Sequence, residues 1–352
     1  MMKIGIIGAG SLTAEELLKI LLRHKDVEIK VLHSETYQGK TVVSVWPAFK
    51  NLTNLSFGVP SLQEIKEGCD CVFITRPHGK ASEVVKELNS SKIKVIDLSA
   101  DFRLPELSYY KKWYPGISHN APDLLSKAVY GLPELYRDKI KKSNLTANPG
   151  CYPTVVILSL APLIKNNIIK EQIVVNAFSG VSGAGRIHKE NCNLFTDIYR
   201  NLKVYKPGTH QHTPEMELAL GELAQEEVKV TFIPCLVPVD RGILAISSHH
   251  LDKKLTKKDI IKIYQEFYNN EPFIRICESG YPNILDVLGT NFCDIGFEID
   301  ARNNVLMVAS TIDNIVKGAS GQAVQNMNLM FGFNETEGLM EIPLFPPLKK
   351  GD

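Results

Sequence analysis

The chain has 352 residues, enough for two domains with a sizeable core in each, and its hydrophobic and charged fractions of 44% and 22% are those of an ordinary globular protein. A net charge of +1 supplies no global field to draw in nucleic acid or an anionic membrane, so an anionic ligand has to be held by a local arrangement. The longest apolar run, 155–164, is broken by Ser159 and Pro162 and is too short to span a bilayer; no signal or transit-peptide pattern precedes the first strand, and the expected location is cytoplasmic.

Residues 3–7 (K-I-G-I-I) predict a fully buried strand, followed by a tight loop from Gly8 to Leu12. Thr13 and Glu16 have the spacing of a capping box, with Thr13 as N-cap of a helix running to about Arg23. Further strands are predicted at 27–32, 71–75 and 94–98, with a helix over 81–88 between the last two. Strands alternating with helices indicate an α/β, Rossmann-type doubly wound parallel sheet. Beyond Cys151 the character changes. Strands at 174–178, 228–234, 243–248, 293–299 and 305–310 are long and several alternate, which predicts a second α+β domain with a mixed, largely antiparallel sheet. A last helix is predicted over 313–330, closed by Gly332, with Ala323, Val324, Met327 and Met330 as its buried stripe.

A strand, a glycine loop and a helix in that order make a dinucleotide site, because helix N-terminal amides hold the pyrophosphate. Gly8, Gly10, Ser11, Leu12 and Thr13 are the candidate binders, with a merely structural turn as the alternative. The second strand ends Val31-Leu32-His33-Ser34 without an acid at its tip, which favours NADP over NAD, with Ser34 and Lys40 as candidate donors to the 2′-phosphate. Glu35 next door works against that phosphate.

Seven cysteines in scattered positions suit neither a disulfide scaffold nor a zinc site, and no metal is expected. Cys151 differs from the rest. Pro149-Gly150 marks a turn and Pro153 fits the first turn of a buried helix over 155–163, so Cys151 falls at a helix N-terminus, where the peptide dipoles favour a thiolate. The bland alternative is a structural cysteine beside a turn. His210 and His212 precede a helix start at Pro214; they make a poor zinc pair but a reasonable base and anion binder. A second Gly-rich loop, 179–186, follows a strand and ends in Arg186, which suits phosphate or carboxylate, with a flexible hairpin as the alternative.

Assembled in order, these segments resemble the N-acetyl-γ-glutamyl-phosphate reductase family of the aspartate-semialdehyde dehydrogenase superfamily. The resemblance also rests on Arg76-Pro77-His78-Gly79, the run 97–103, Tyr130 to Leu135, Pro238 to Gly242 and the run 313–325. It implies NADPH-dependent reductive dephosphorylation of N-acetyl-γ-glutamyl phosphate to the semialdehyde in arginine biosynthesis. Cys151 would be the nucleophile that forms a thioester, and His212, ahead of His210, the acid and base. It further implies that Pro77, Ser182, Gly183 and Asn314 contact NADP(H), and that Arg103, Arg186 and Glu215 bind substrate. The expected domains are 1–150 with 313–352 for NADP, and 151–312 for catalysis and oligomerisation. The small residues Gly318 to Gly321 also suit a close approach to the cofactor or the Cys151 loop, against a peripheral capping helix as the bland case. The partner set is a small acyl phosphate and further copies of the chain, as a dimer or tetramer, with no nucleic acid and no membrane. Alternatives are a reductase of carrier-bound aminoadipyl or aspartyl phosphate, or a non-enzymatic NADP-binding sensor. The chain departs from the family pattern in its nucleotide loop, at Gln211 between the histidines, and at Cys235, where the family usually has histidine.

Overall fold

The computed structural model of the chain describes residues 1–89, 91–169, 172–184 and 199–340. Two compact units emerge, one formed by Met1–Pro149 with Ala319–Met340, the other by Gly150–Gly318.

The first unit opens with β1 (Met2–Ile7), α1 (Leu12–Leu21) and β2 (Val27–His33), then β3 (Cys71–Ile74), α2 (Ala81–Leu88) and β4 (Lys94–Asp97). The short β5 (Val129–Tyr130), α3 (Pro133–Lys141) and β6 (Leu145–Ala147) complete it. The six strands run in the order β2-β1-β3-β4-β6-β5 with every neighbour parallel, so the order reverses between β1 and β3. β3 is buried at all four residues, as a strand covered on both faces has to be, and Ile7, Ile74, Val95 and Ala147 share one core with Val84, Val85 and Leu88 of α2. The expected N-cap needs correcting. Ser11, not Thr13, caps α1: its side chain accepts the Ala14 N–H, and Glu16 pairs with Lys19. Leu12 and Thr13 therefore lie inside the first turn.

The second unit begins with α4 (Cys151–Lys165), then β7 (Ile173–Ser179), β8 (Lys203–Val204), α5 (Thr213–Ala224), β9 (Val230–Leu236) and β10 (Ile243–His250). It continues through α6 (Lys257–Phe267), β11 (Ile274–Cys277), β12 (Cys293–Asp300) and β13 (Val305–Ile312). The strand order is β11-β12-β13-β10-β7-β9-β8, a mixed sheet in which β7 and β9, and β11 and β12, are parallel and the other neighbours antiparallel. Its covered face packs on α4, which is buried from Tyr152 through Ile164, as a helix apolar all round requires. Pro162 sits inside this helix and withholds the N–H that would bond Leu158. The Tyr268 hydroxyl donates to the Leu158 carbonyl instead, at 2.6 Å, and Tyr264 does the same for Ser159.

The chain leaves β13 through a single π turn, Val316–Ser320, and enters α7 (Gly321–Phe331), which belongs to the first unit and packs on α1, α3 and β4. Residues 313–318 stay with the second unit because Asp313 ties them there. Its buried carboxylate accepts the N–H groups of Gly289, Ile315 and Val316 and pairs with Arg241 at 3.1 Å. Ala323, Val324, Met327 and Met330 are buried, and so are Gln322, Gln325, Asn326 and Asn328 on the other faces, so the helix is enclosed rather than striped. Gly332, left-handed at φ 72°, ends it.

Candidate active site

In the first unit the loop after β1 carries Gly8, Gly10, Ser11, Leu12 and Thr13. Gly8 has a φ of +90°, and a Cβ there would lie 2.9 Å from the Thr75 carbonyl, so two independent constraints demand glycine. The bend turns the chain sharply into α1, whose first turn leaves over four N–H groups; Ser11 takes that of Ala14. This cradle at the switch point of a parallel sheet fits a dinucleotide pyrophosphate. Ser34, at the tip of β2, is buried and its Oγ accepts the Tyr37 N–H at 3.3 Å. Pro77 lies in the turn after β3. Arg103 spends Nε and Nη2 on the carbonyls of Asn148 and Leu98, at 2.8 and 2.9 Å, and so fixes the strand ends that lead to the Pro149 turn.

The second unit brings together Cys151, His210, His212 and Glu215. Cys151 is the first residue of α4, half-buried, with Gly150 as N-cap; the aligned peptides of a 15-residue helix point their positive end at its sulfur. His212 is the N-cap of α5 and Glu215 lies in that helix's first turn. The two helix starts meet. Glu215, almost wholly buried, accepts the Gly150 N–H on Oε2 at 3.0 Å and places Oε1 3.9 Å from His212 Nε2. The His212 ring lies so close to Gly150 that a Cβ there would come within 2.6 Å of Nε2. On the other side, a Cβ on Gly318 would come within 2.7 Å of the Cys151 Cβ, so the π turn is also in contact with Cys151.

His210 is a different kind of histidine. It is buried in a box of rings made by Tyr152, Tyr205, Phe232 and His212, and its Nδ1 accepts the His212 main-chain N–H at 3.1 Å. Nδ1 is therefore unprotonated. Burial, reinforced by His212 and Lys206, pushes its pKa down to about 2, so it is neutral at any working pH. The same box holds a hydroxyl pair, Tyr205 donating to Tyr152 at 2.8 Å. Folding that buries a neutral histidine makes stability depend on pH. The contribution is fully present above the ordinary value of 6.5 and is lost as pH falls from there toward about 2. His210→Gln is expected to flatten the acid-side decline of the thermal midpoint between about pH 7 and 5, where one such proton is worth up to about 1.4 kcal/mol per pH unit. An identical slope in the variant contradicts the buried-neutral assignment.

Four of the other thiols sit where burial opposes the thiolate. Burial pushes Cys69 up to about 11 and raises Cys71, Cys235 and Cys277 as well. Iodoacetamide near neutral pH is expected to label Cys151 before any of these, read by peptide mass mapping; earlier labelling of one of the four contradicts the assignment.

Ser182, Gly183 and Asn314 also gather in the second unit. Asn314 donates to Ser182 Oγ at 3.1 Å and accepts the Gly242 N–H at 2.7 Å, clasping the loop after β7 to the one after β9. Arg186 lies outside the described residues. Sequence reasoning missed the ring box, since Tyr152 and Tyr205 lie 53 positions apart. It also missed Arg76 as a partner of Glu35, 41 positions away. Among the described residues no group of His, Cys, Asp and Glu is arranged to hold a metal ion, and no helix is long and apolar enough to cross a membrane.

Comparison with known proteins covers nearly the whole chain. Residues 3–143 match the family model described as semialdehyde dehydrogenase, NAD binding domain, and residues 151–314 the one described as semialdehyde dehydrogenase, dimerisation domain. A protein of Thermoanaerobacter sp. (strain X514) named N-acetyl-gamma-glutamyl-phosphate reductase is 46% identical over 98% of this chain and 100% of its own length. One of the same name from Methanococcus vannielii is 46% identical over 96% of this chain and 98% of its own. Among solved structures, aspartate semialdehyde dehydrogenase II of Vibrio cholerae superposes with a TM-score of 0.70 at 17% identity, covering 94% of this chain and 99% of that one. The Candida albicans aspartate semialdehyde dehydrogenase with NADP gives 0.68 at 14%, covering 94% and 98%. At those identities the structures speak for the fold alone.

Proposed function

The chain belongs to the N-acetyl-γ-glutamyl-phosphate reductase family, and from that premise we propose that it reduces N-acetyl-γ-glutamyl phosphate to N-acetylglutamate semialdehyde with NADPH, in arginine biosynthesis. The observation that carries the mechanism is the meeting of two helix starts: Cys151 at the head of α4, with Glu215 and His212 of α5 fixed against the residue before it.

The Cys151 thiolate attacks the acyl-phosphate carbonyl, the C–O bond to phosphate breaks, and inorganic phosphate leaves with the acyl group held as a thioester. NADPH, when bound, would supply the hydride, and the Cys151 thioester that accepts it would become a thiohemiacetal still held on the same sulfur. That adduct collapses when its hydroxyl proton is removed and the C–S bond breaks, returning the thiolate and releasing the aldehyde. His212 is the acid and base of these steps. Its place at a helix N-cap disfavours a permanent imidazolium, while Glu215 at 3.9 Å limits the cost of a transient one. His210, neutral throughout, orients His212 through its main chain and ring contact. Glu215 acts as a positioning residue, holding the Gly150 amide. Arg186 and Arg103 are the candidate partners of substrate anions, Arg103 with two nitrogens already on carbonyls.

In the same proposal the first unit is the NADP-binding domain, and the second carries catalysis and oligomerisation, as a homodimer or tetramer. A cytoplasmic location agrees with cysteines that are thiols rather than disulfides among the described residues. The test is the reverse reaction: purified protein given N-acetylglutamate semialdehyde, NADP and phosphate is expected to form NADPH in a phosphate-dependent manner. Preference for aspartate semialdehyde or a carrier-bound aminoadipate semialdehyde overturns the substrate assignment.

A further inference from the structure

An acid at the tip of the second strand normally selects NAD, because a carboxylate bonds the ribose 2′-OH and repels a 2′-phosphate. This chain has Glu35 there, two residues past the end of β2, with its side chain 72% exposed. The structure shows what offsets it. Arg76, two residues past the end of β3, reaches across and bonds the Glu35 carboxylate with Nη2 at 2.5 Å. The N–H groups of Gly8 and Ala9 donate to the His33 carbonyl, so the loop after β1 meets the tip of β2 two residues before Glu35. A Cβ on Gly10 would lie 3.3 Å from Ser34 Oγ and 3.2 Å from the Tyr37 ring, so the ribose-side wall of the cradle is made by these residues. Lys40 stands 5.8 Å from the Tyr37 ring centre on the same wall. His33 feels the Arg76 charge as well as its own burial, and is held below its ordinary value by both.

Resting on the NADPH reading above, we propose that Arg76 is the residue that selects the 2′-phosphate, and that Glu35 serves to hold its guanidinium in place. Arg carries five N–H donors in a rigid fork, so one bond to Glu35 leaves others to meet a phosphate. The bond also cancels the repulsion that Glu35 would exert. Selection is thus built from a pair in the loops that follow two different strands, rather than from the missing acid that the strand end alone suggests.

The test is a cycle of binding constants for NADPH and NADH, measured by nicotinamide fluorescence on the full chain, its Arg76→Met and Glu35→Gln variants and the double variant. The fragments 2′,5′-ADP and 5′-AMP serve as competitors. Arg76→Met is expected to weaken NADPH and 2′,5′-ADP by about tenfold or more, since a charge-assisted contact is lost and a carboxylate is left facing the phosphate. NADH and 5′-AMP are expected to hold within about threefold, which also shows that the variant folds. The double variant is expected to regain part of the NADPH affinity, because the uncompensated Glu35 is gone. Equal loss of NADPH and NADH in Arg76→Met, or no loss of either, overturns the proposal alone. An unaltered chain that binds neither cofactor overturns the functional reading, and this proposal with it.

Discussion

Cys151→Ser is expected to lower turnover by on the order of ten-thousandfold or more, since removing a covalent nucleophile removes the whole pathway rather than one contact. Serine fits the site: Cys151 is half-buried at the first position of α4 and its backbone role there is unchanged. What changes is the charge the helix start can stabilise, because a hydroxyl does not ionise near neutral pH as a thiol does. NADPH affinity and thermal midpoint are expected to stay near those of the unaltered protein, measured by cofactor fluorescence and calorimetry. A variant that keeps a tenth of the activity contradicts the covalent mechanism, and one that also loses cofactor binding shows damage beyond the nucleophile.

His212→Asn is the second large effect, with an expected loss of about a hundredfold to ten-thousandfold in kcat, the range for a positioned acid and base. Asparagine keeps a polar group against Gly150 but cannot exchange a proton near neutral pH. The loss should fall on kcat more than on KM, and any limb of the pH–rate profile that the histidine supplies should disappear. His210→Asn separates the two histidines. His210 is neutral and holds the His212 main chain, so its variant should retain the same pH limb at reduced rate. If His210→Asn removes the limb and His212→Asn keeps it, the roles are reversed.

How far the sequence carried these conclusions depends on the range of the interactions. β3 was legible because a strand buried on both faces is a continuous apolar run, and β1 and β4 because each holds consecutive buried residues, Ile4 to Ile7 and Val95 to Asp97. The predicted strand at 228–234 is displaced to Val230–Leu236, since a half-covered strand gives only alternation and its ends are set by pairing with β7. The short β5, β6, β8 and β11 carry too few residues for a period to show. Cys151 and the two histidines were legible as types at telling positions. Glu215 was too, yet its contact with the Gly150 amide joins helix starts 65 residues apart, which no local pattern encodes. The N-cap of α1 went to Ser11 because the Gly8 bend brings the chain into the helix two residues early, and two candidate caps two residues apart cannot be told apart by spacing. The Arg76–Glu35 pair is likewise a product of the parallel sheet, which sets the ends of β2 and β3 on either side of β1.

The claim that a single cysteine carries the acyl group is tested most directly by a half-reaction. The protein is mixed with N-acetylglutamate semialdehyde and NADP in phosphate-free buffer, and NADPH formation is followed by absorbance while the intact mass is recorded. The account predicts a burst of NADPH no larger than the concentration of active sites, an N-acetylglutamyl adduct on the peptide containing Cys151, and resumption of turnover when phosphate is added. Steady NADPH formation without phosphate and without an adduct, or an adduct on any other residue, would contradict it.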